Sequence, residues 1–381
     1  MSKTSKEERG SRYDHGLYAR PRRVSGLLFM LGLVTGLCAY AVDVRGAEDD
    51  TADVSQAQAL SRACQRVAES IVPSVVQLRK TQESGSWTDN PADLATRPIP
   101  HRRASSGSGV IIEFSAPDKT AVILTSYSSV RDATEVTVEM ADGREFKTTD
   151  VKGDADTDVA IVRIKGIEKA KVAELGDSDQ VKLGQLILVV GNPFALPGSV
   201  SMGIISGYGR QLPAVSRATM IQTDAAANLG SAGGPLVNLY GKVVGIVSAI
   251  HSLNGGFDGV TFAIPINQAH FIAQQLIQQG RVPRGRLGLT IQDLTPELRN
   301  RFYVPVVEGA LVGDVEEESP AAKAGIRRGD IIVEFAGAEI GRAIDLPMTV
   351  DRTPIGTEQE LKFIRDGREQ SVSVVLEEIP L

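Results

Sequence analysis

Apolar and polar positions along this chain fall into short β-like runs over most of its length and switch to helical spacing in only a few places. Between Ser55 and Ile71 the apolar residues Ala59, Leu60, Cys64, Val67 and Ile71 lie on one helical face, which predicts an amphipathic helix. Pro73 ends it, and Val75-Val76-Gln77-Leu78 reads as a first strand. Thr81 to Ser106 mixes glycine, proline, serine and charge without a period and reads as a surface loop. From Gly107 onward short β-branched runs take over: Val110-Ile111-Ile112, Val122-Ile123-Leu124, Val136-Thr137-Val138, Val159-Ala160-Ile161-Val162, Leu186 to Val190 and Val243 to Val247. Glycine, asparagine and aspartate punctuate them at hairpin-like intervals, and no long helix intervenes. That pattern favours an all-β barrel or sandwich over a parallel sheet. Helical spacing returns from Ile266 to Gln279 and closes at Gly280, a residue suited to a helix C-cap. Arg281 to Gly285, with Pro283, makes a linker, and the remainder fits one small mixed domain.

The N-terminus has a different character. Lys3, Lys6, Arg9, Arg12, Arg20, Arg22 and Arg23 precede an apolar run from Gly26 to Val42, with small residues around Ala39-Tyr40-Ala41 and acidic Glu48-Asp49-Asp50 beyond. This order is that of a secretory signal. A span of about 17 residues is also at the lower limit for crossing a bilayer, so a retained N-terminal anchor is the alternative. Either reading exports the rest of the chain.

Composition narrows the function classes. A length of 381 residues allows two or three domains. A net charge of −6 with no basic run after the N-terminus gives no footing for nucleic-acid binding. Of the two cysteines, Cys38 lies in the apolar run. Its removal would leave Cys64 alone, without an intramolecular disulfide. No Cys/His cluster has metal-ligand spacing, and no cofactor is expected.

Ser106-Gly107-Ser108-Gly109-Val110-Ile111-Ile112 begins an ordered series of blocks. It continues through Ile123-Leu124-Thr125, Asp142-Gly143-Arg144, Thr157-Asp158-Val159-Ala160, Gly191-Asn192-Pro193-Phe194, Gly203-Ile204-Ile205-Ser206 and Gln222-Thr223-Asp224-Ala225. Gly233-Gly234-Pro235-Leu236-Val237-Asn238 and Phe262-Ala263-Ile264-Pro265 complete it. In this order and spacing the series resembles the HtrA/Deg family of exported serine proteases. The resemblance implies a mainly β fold, a chymotrypsin-like double β-barrel followed by one PDZ domain of small α+β type. It also implies a domain plan: 1–46 signal or anchor, 47–62 linker and start of the N-terminal helix, 63–280 protease domain, 281–285 linker and 286–379 PDZ domain.

The same resemblance assigns the catalytic positions, because such a fold works with a hydroxyl nucleophile, an imidazole base and an orienting carboxylate. The base address reads Ile123-Leu124-Thr125-Ser126-Tyr127-Ser128-Ser129-Val130, so Ser128 stands where the family has histidine. Asp158 retains the carboxylate. The nucleophile address reads Asn228-Leu229-Gly230-Ser231-Ala232-Gly233-Gly234-Pro235, so Ala232 stands where the family has serine. Two of three members are gone. Gly230, Ser231 and Ala232 remain candidates for oxyanion-hole donors, and Ser231 is expected to point elsewhere on the turn than the lost nucleophile. The four histidines, His15, His101, His251 and His270, read better as solvated or packed residues than as a base.

In the C-terminal part, Gly285-Arg286-Leu287-Gly288-Leu289 resembles the loop with which a PDZ domain holds a peptide carboxylate, the adjoining strand pairing with the peptide. Ser319 to Ile332 supplies the helix, turn and strand of that order. Asp345 to Arg352 would be the helix lining the groove, with Leu346 and Met348 facing it, and Arg286 takes the place of an aromatic common in relatives. Three functions remain open. The first is an exported pseudoprotease that binds peptides or unfolded protein C-termini as chaperone, sensor or regulator. The second is an active peptidase using an unrecognised base such as His101 or His251. The third is a structural partner of active relatives. The resemblance implies a homo-oligomer, trimeric, or a mixed oligomer. A PDZ fold used only as an interdomain brace is the alternative for the C-terminal domain.

Overall fold

The computed structural model describes residues 45–81, 106–250, 252, 256–295, 297–299 and 308–379. The chain divides into Met1–Val54, of which only the beginning of one helix is described, and Ser55–Leu381, described below. The apolar run Gly26 to Val42, on which the export reading rests, and most of the loop expected after Thr81 lie outside the described residues. Among the described residues no helix is long and apolar enough to cross a membrane.

Helix α1 (Arg45–Ile71) leads into β1 (Val75–Thr81). It starts ten residues before the periodicity at Ser55, since that pattern marks only the part where residues such as Val67 and Ile71 bury themselves. The strands β2 (Ser106–Ser115), β3 (Thr120–Ser126), β4 (Glu135–Glu139), β5 (Glu145–Thr148), β6 (Val151–Asp154) and β7 (Val159–Lys165) follow, with a one-turn helix α2 (Tyr127–Val130) after β3. They form a seven-stranded antiparallel sheet in the order β5-β4-β1-β2-β3-β7-β6. The next six, β8 (Leu186–Gly191), β9 (Ser199–Leu212), β10 (Val215–Thr223), β11 (Pro235–Asn238), β12 (Val243–Ile250) and β13 (Thr261–Pro265), close into a barrel. Helix α3 (Ile266–Gln279) then ends on Gly280, whose N–H donates to Leu276 O.

The continuous apolar runs of the sequence have a simple cause: both faces of these strands are covered. In β3, Val122 and Leu124 face a core shared with α3 and the closed barrel, while Ala121 and Ile123 face the interior of the first sheet. In β8, Leu188 and Val190 join the shared core, and Ile187 and Val189 fill the barrel. A strand buried on both sides shows no polar alternation. Each fully buried aliphatic side chain contributes roughly 1.5–3 kcal/mol.

The C-terminal sheet runs β15 (Leu289–Asp293), β16 (Ala310–Val315), β17 (Ile331–Phe335), β19 (Glu358–Arg365), β20 (Arg368–Val375), with β18 (Ala338–Glu339) on β17. A separate two-stranded ribbon joins β14 (Gly285–Arg286) to β21 (Glu377–Glu378). Helices α4 (Pro320–Lys323) and α5 (Asp345–Arg352) pack on a core that includes Phe335, Leu361 and Phe363.

A buried ion cluster joins this domain to the first sheet. The Arg284 guanidinium donates to both carboxylate oxygens of Asp154 at 2.7 and 2.6 Å and to Asp351 on α5 at 2.5 Å, and it lies 3.3 Å from Asp156. Arg217 of β10 reaches the other oxygen of Asp351 at 2.6 Å. Burial works against the charge of Arg284, and Asp351 and Asp154 more than offset it, so its proton is held more firmly than usual. Three carboxylates and two guanidiniums satisfy one another here, which makes the loss of one partner costly. We predict that Arg284→Met lowers unfolding free energy by about 3 kcal/mol in urea denaturation. Lys147→Ala, at an exposed pair with Glu135, is expected to leave the midpoint unchanged.

Candidate functional site

The cleft between the two β units carries the positions singled out above. Ser128 lies in α2, directly after β3. Its N–H donates to Asp158 Oδ1 at 2.7 Å, and its hydroxyl faces Asp158 Oδ2 at 3.3 Å. Ser248, on β12, donates to the same Oδ2 at 2.5 Å. The Asp158 carbonyl accepts from Tyr127 N–H, which fixes the 158 turn against α2. Asp158 is buried and has φ of 56°. Burial pushes its carboxyl above the ordinary range, against the pull of the Ser248 hydroxyl, both Ser128 donors and the Arg131 charge.

Ala232 sits on the turn before β11. Its carbonyl accepts from Ser108 N–H at 2.8 Å and from the Ser129 hydroxyl at 3.2 Å. Within this turn the Ser231 N–H donates to Asn228 O, Gly234 N–H to Ser231 O and Gly233 N–H to Val247 O. The N–H groups of Gly230 and Ala232 stand outside that set. Gly230 has φ of 101°, and a Cβ there would come within 2.5 Å of Asn192 O. Gly233 has φ of 86°, and a Cβ there would meet Ser108 O and Thr125 Oγ1 at 2.1 Å. Both positions need glycine for space as well as for backbone angle.

The cleft encloses about 420 Å³ and is lined by Ser106, Ser128, Ser129, Gly230, Ala232 and Ser248, with Ala227, Val247 and Ile250 among its apolar walls. Ser231 is not on that wall. It is 2% exposed, and its hydroxyl accepts from Asn228 N–H. His270, the one histidine among the described residues, lies on α3 beside Gln274. His15, His101 and His251 fall outside the described residues. Among those residues no cluster of His, Cys, Asp or Glu has the arrangement of a metal site. The described cleft therefore offers hydrogen-bond donors and an apolar wall, while its hydroxyls at Ser128 and Ser248 are spent on a carboxylate.

A second concavity of about 290 Å³ lies in the C-terminal domain, between edge strand β15 and helix α5. Arg286, Leu287, Gly288 and Leu289 line it, as does Leu346. Met348 does not. One helical turn from Leu346 is Val350, which takes the wall, whereas a residue two positions on points away from that face. Arg217, contributed by β10 of the barrel, also lines this groove. Strand β15 pairs only with β16 among the described residues, so one edge is open to an added strand.

Sequence reading gave no role to Ser248, Ser108, Asn192, Arg217 or Val350. Ser108 and Asn192 lay inside the quoted blocks and so had a signal. Ser248 and Arg217 had none, because their partners are 90 and 134 residues away.

Residues 107–246 match the family described as trypsin-like peptidase domain, and residues 285–376 match the PDZ domain. A probable periplasmic serine endoprotease DegP-like of Marinomonas sp. (strain MWYL1) is 41% identical over 279 residues, which are 73% of this chain and 58% of that protein. One of the same description from Halomonas elongata is 40% identical over 278 residues, covering 73% and 57%. The chain thus spans under two thirds of the length of these curated relatives. Among solved structures, the HtrA-type protease AlgW with tripeptide superposes with a TM-score of 0.69 at 31% identity, covering 83% of this chain and 97% of that one. A serine endoprotease from Yersinia pestis gives 0.58 at 28%, covering 83% and 98%.

The buried carboxyl yields a signed pH test. A folded-state pKa raised above the unfolded value of about 3.9 contributes stability below that value and loses it as pH rises through the folded one. The stability of the natural protein relative to Asp158→Asn is therefore expected to fall from pH 4 to pH 7 in urea titrations. A relative stability that rises over this interval would contradict the assignment.

Proposed function

Because the chain belongs to the HtrA/Deg family of trypsin-like serine proteases with a PDZ domain, we propose that it is a proteolytically silent member that binds peptide termini instead of cutting them. The observation that carries this reading is the pair Ser128 and Ala232 at the base and nucleophile addresses, flanking a retained Asp158. Loss of a triad nucleophile or base costs on the order of 10⁶ in kcat, and further losses add little. Binding and the oxyanion donors alone leave about 10³–10⁴ over water, negligible for a peptide bond. An aspartate whose imidazole is missing keeps a structural task, accepting hydrogen bonds from Ser128 and Ser248.

The open edge of β15 and the apolar groove under α5 support capture of extended peptides or unfolded protein C-termini by strand addition. The basic-then-apolar N-terminus, together with relatives named as periplasmic, supports work on the far side of a membrane, with the N-terminal run cleaved or kept as an anchor. In this reading the protein acts in chaperoning, sensing or regulation, as a homo-oligomer or in mixed oligomers with active relatives.

The test is digestion of unfolded casein by the full chain beside the double variant Ser128→His, Ala232→Ser. The natural protein is expected to release no fragments and the double variant to gain activity. Cleavage by the natural protein that disappears in Ser231→Ala or His251→Ala would replace this reading with a rearranged active peptidase.

A further inference from the structure

The buried carboxylate beside the cleft has a thin cover. Asp158 is 7% exposed and does not itself line the cleft. Ser128 and Ser248, which both donate to its Oδ2, do line it. Ser248 is 8% exposed, whereas Ser128 is an exposed residue. The two carboxylate oxygens are held differently. Oδ1 accepts the Ser128 N–H at 2.7 Å, a bond kept in place by the backbone of α2. Oδ2 accepts the Ser248 hydroxyl and, at 3.3 Å, the Ser128 hydroxyl. That last contact is the longest of the three and is made by a rotor that can turn away. Arg131 is the charged group acting on Asp158, and it contributes least. A buried carboxylate held chiefly by neutral donors gains from a donor that can carry charge, because such bonds are shorter and stronger.

We propose that this corner of the cleft is a subsite for the imidazole of a histidine carried by a peptide ligand, whose ring N–H displaces the Ser128 hydroxyl from Asp158 Oδ2. Ser128 stands at the address where the family has histidine, and serine is the shorter side chain. A ring arriving with a ligand therefore has room on the cleft wall beside it. The acceptor geometry selects the ring. Oδ1 is turned to the Ser128 backbone and Oδ2 already holds Ser248, so one acceptor position is offered. That suits the single N–H of an imidazole. The planar fork of arginine calls for both oxygens, and the lysine ammonium is strongly hydrated. Ala227, Val247 and Ile250 take an aliphatic neighbour of the histidine. Release of the Ser128 hydroxyl costs little, because that residue is exposed and water replaces the carboxylate as its partner. The subsite lies in the cleft and not in the C-terminal groove, so it stands or falls apart from peptide binding there.

The experiment is fluorescence anisotropy on the full chain with two fluorescein-labelled hexapeptide amides. Each is built of alanines around a central pair, histidine-valine in one and thiazolylalanine-valine in its twin. Thiazole has the ring size of imidazole without an N–H donor, and the amide leaves no free chain end to be recognised. The natural protein is expected to bind the histidine peptide about tenfold more tightly than the twin. Ser128→Ala, which deletes the competing hydroxyl and keeps the backbone donor, should tighten the histidine peptide severalfold and leave the twin unchanged. Asp158→Asn should bring the twins to nearly equal affinity by removing the charged acceptor. Ser128→His, which fills the corner with the chain's own imidazole, should do the same and keeps the proposal testable if the buried Asp158→Asn does not fold. Equal binding of the twins by the natural protein would overturn the proposal. So would a histidine preference that persists in Asp158→Asn or in Ser128→His. Failure of both peptides to bind would overturn it too, while leaving capture in the C-terminal groove untouched.

Discussion

A buried hydroxyl at the centre of the cleft joins the two β units. Ser108, on β2 of the first sheet, donates to Gly230 O at 2.7 Å and accepts from Asn192 N–H at 2.8 Å. The Asn192 side chain returns to Val76 O and to the same hydroxyl, and its carbonyl oxygen takes Gly198 N–H. Polar groups this deep must find partners, so each bond restricts the others. The turn that carries Ala232 is therefore positioned from β2 and from the end of β8, by residues that are not members of a catalytic triad. That is why the cleft keeps its shape around an alanine. The scaffold of the cleft and the three triad addresses depend on different side chains.

Charge is treated in two opposite ways. Around Asp158 burial dominates, and three neutral donors are the main compensation, which leaves the carboxyl easier to protonate than usual. Around Arg284, opposite charges gather closely enough to hold the guanidinium's proton despite burial. The first arrangement holds a carboxyl chiefly by neutral donors, with the Arg131 charge the smallest contribution. The second suits a joint, since it spans the linker, the first sheet, β10 and α5 and can only be satisfied when all four are in place. A joint of this kind contributes specificity of placement more than net stability.

The groove of the C-terminal domain shares a wall with that joint. Asp351 lies one position after Val350, which faces the groove, and Arg217 both bonds Asp351 and lines the groove. A peptide lying along β15 would therefore meet a side chain from the protease-like barrel as well as the domain that holds it. Fold alone does not dictate that such a domain binds peptides. The open edge and the aliphatic floor are what argue for it here.

Local pattern carried most of the architecture. The period of apolar residues marked the strands and the helix Ile266–Gln279, because side-chain direction along one element repeats whatever its surroundings. The ordered motif blocks gave addresses, and reading Ser128 and Ala232 at two of them required no coordinates. The groove helix was legible in its bounds but not in its face: Val350, not Met348, lines the groove, since that depends on how α5 is rolled against the sheet. The tertiary structure alone decided that Ser248 meets Asp158, that the Ser231 hydroxyl turns inward and that Arg217 crosses into another domain. These are contacts between residues far apart in the chain or choices of direction on a tight turn. No local period encodes them, because they exist only once the barrel has closed and the buried polar groups have selected their partners.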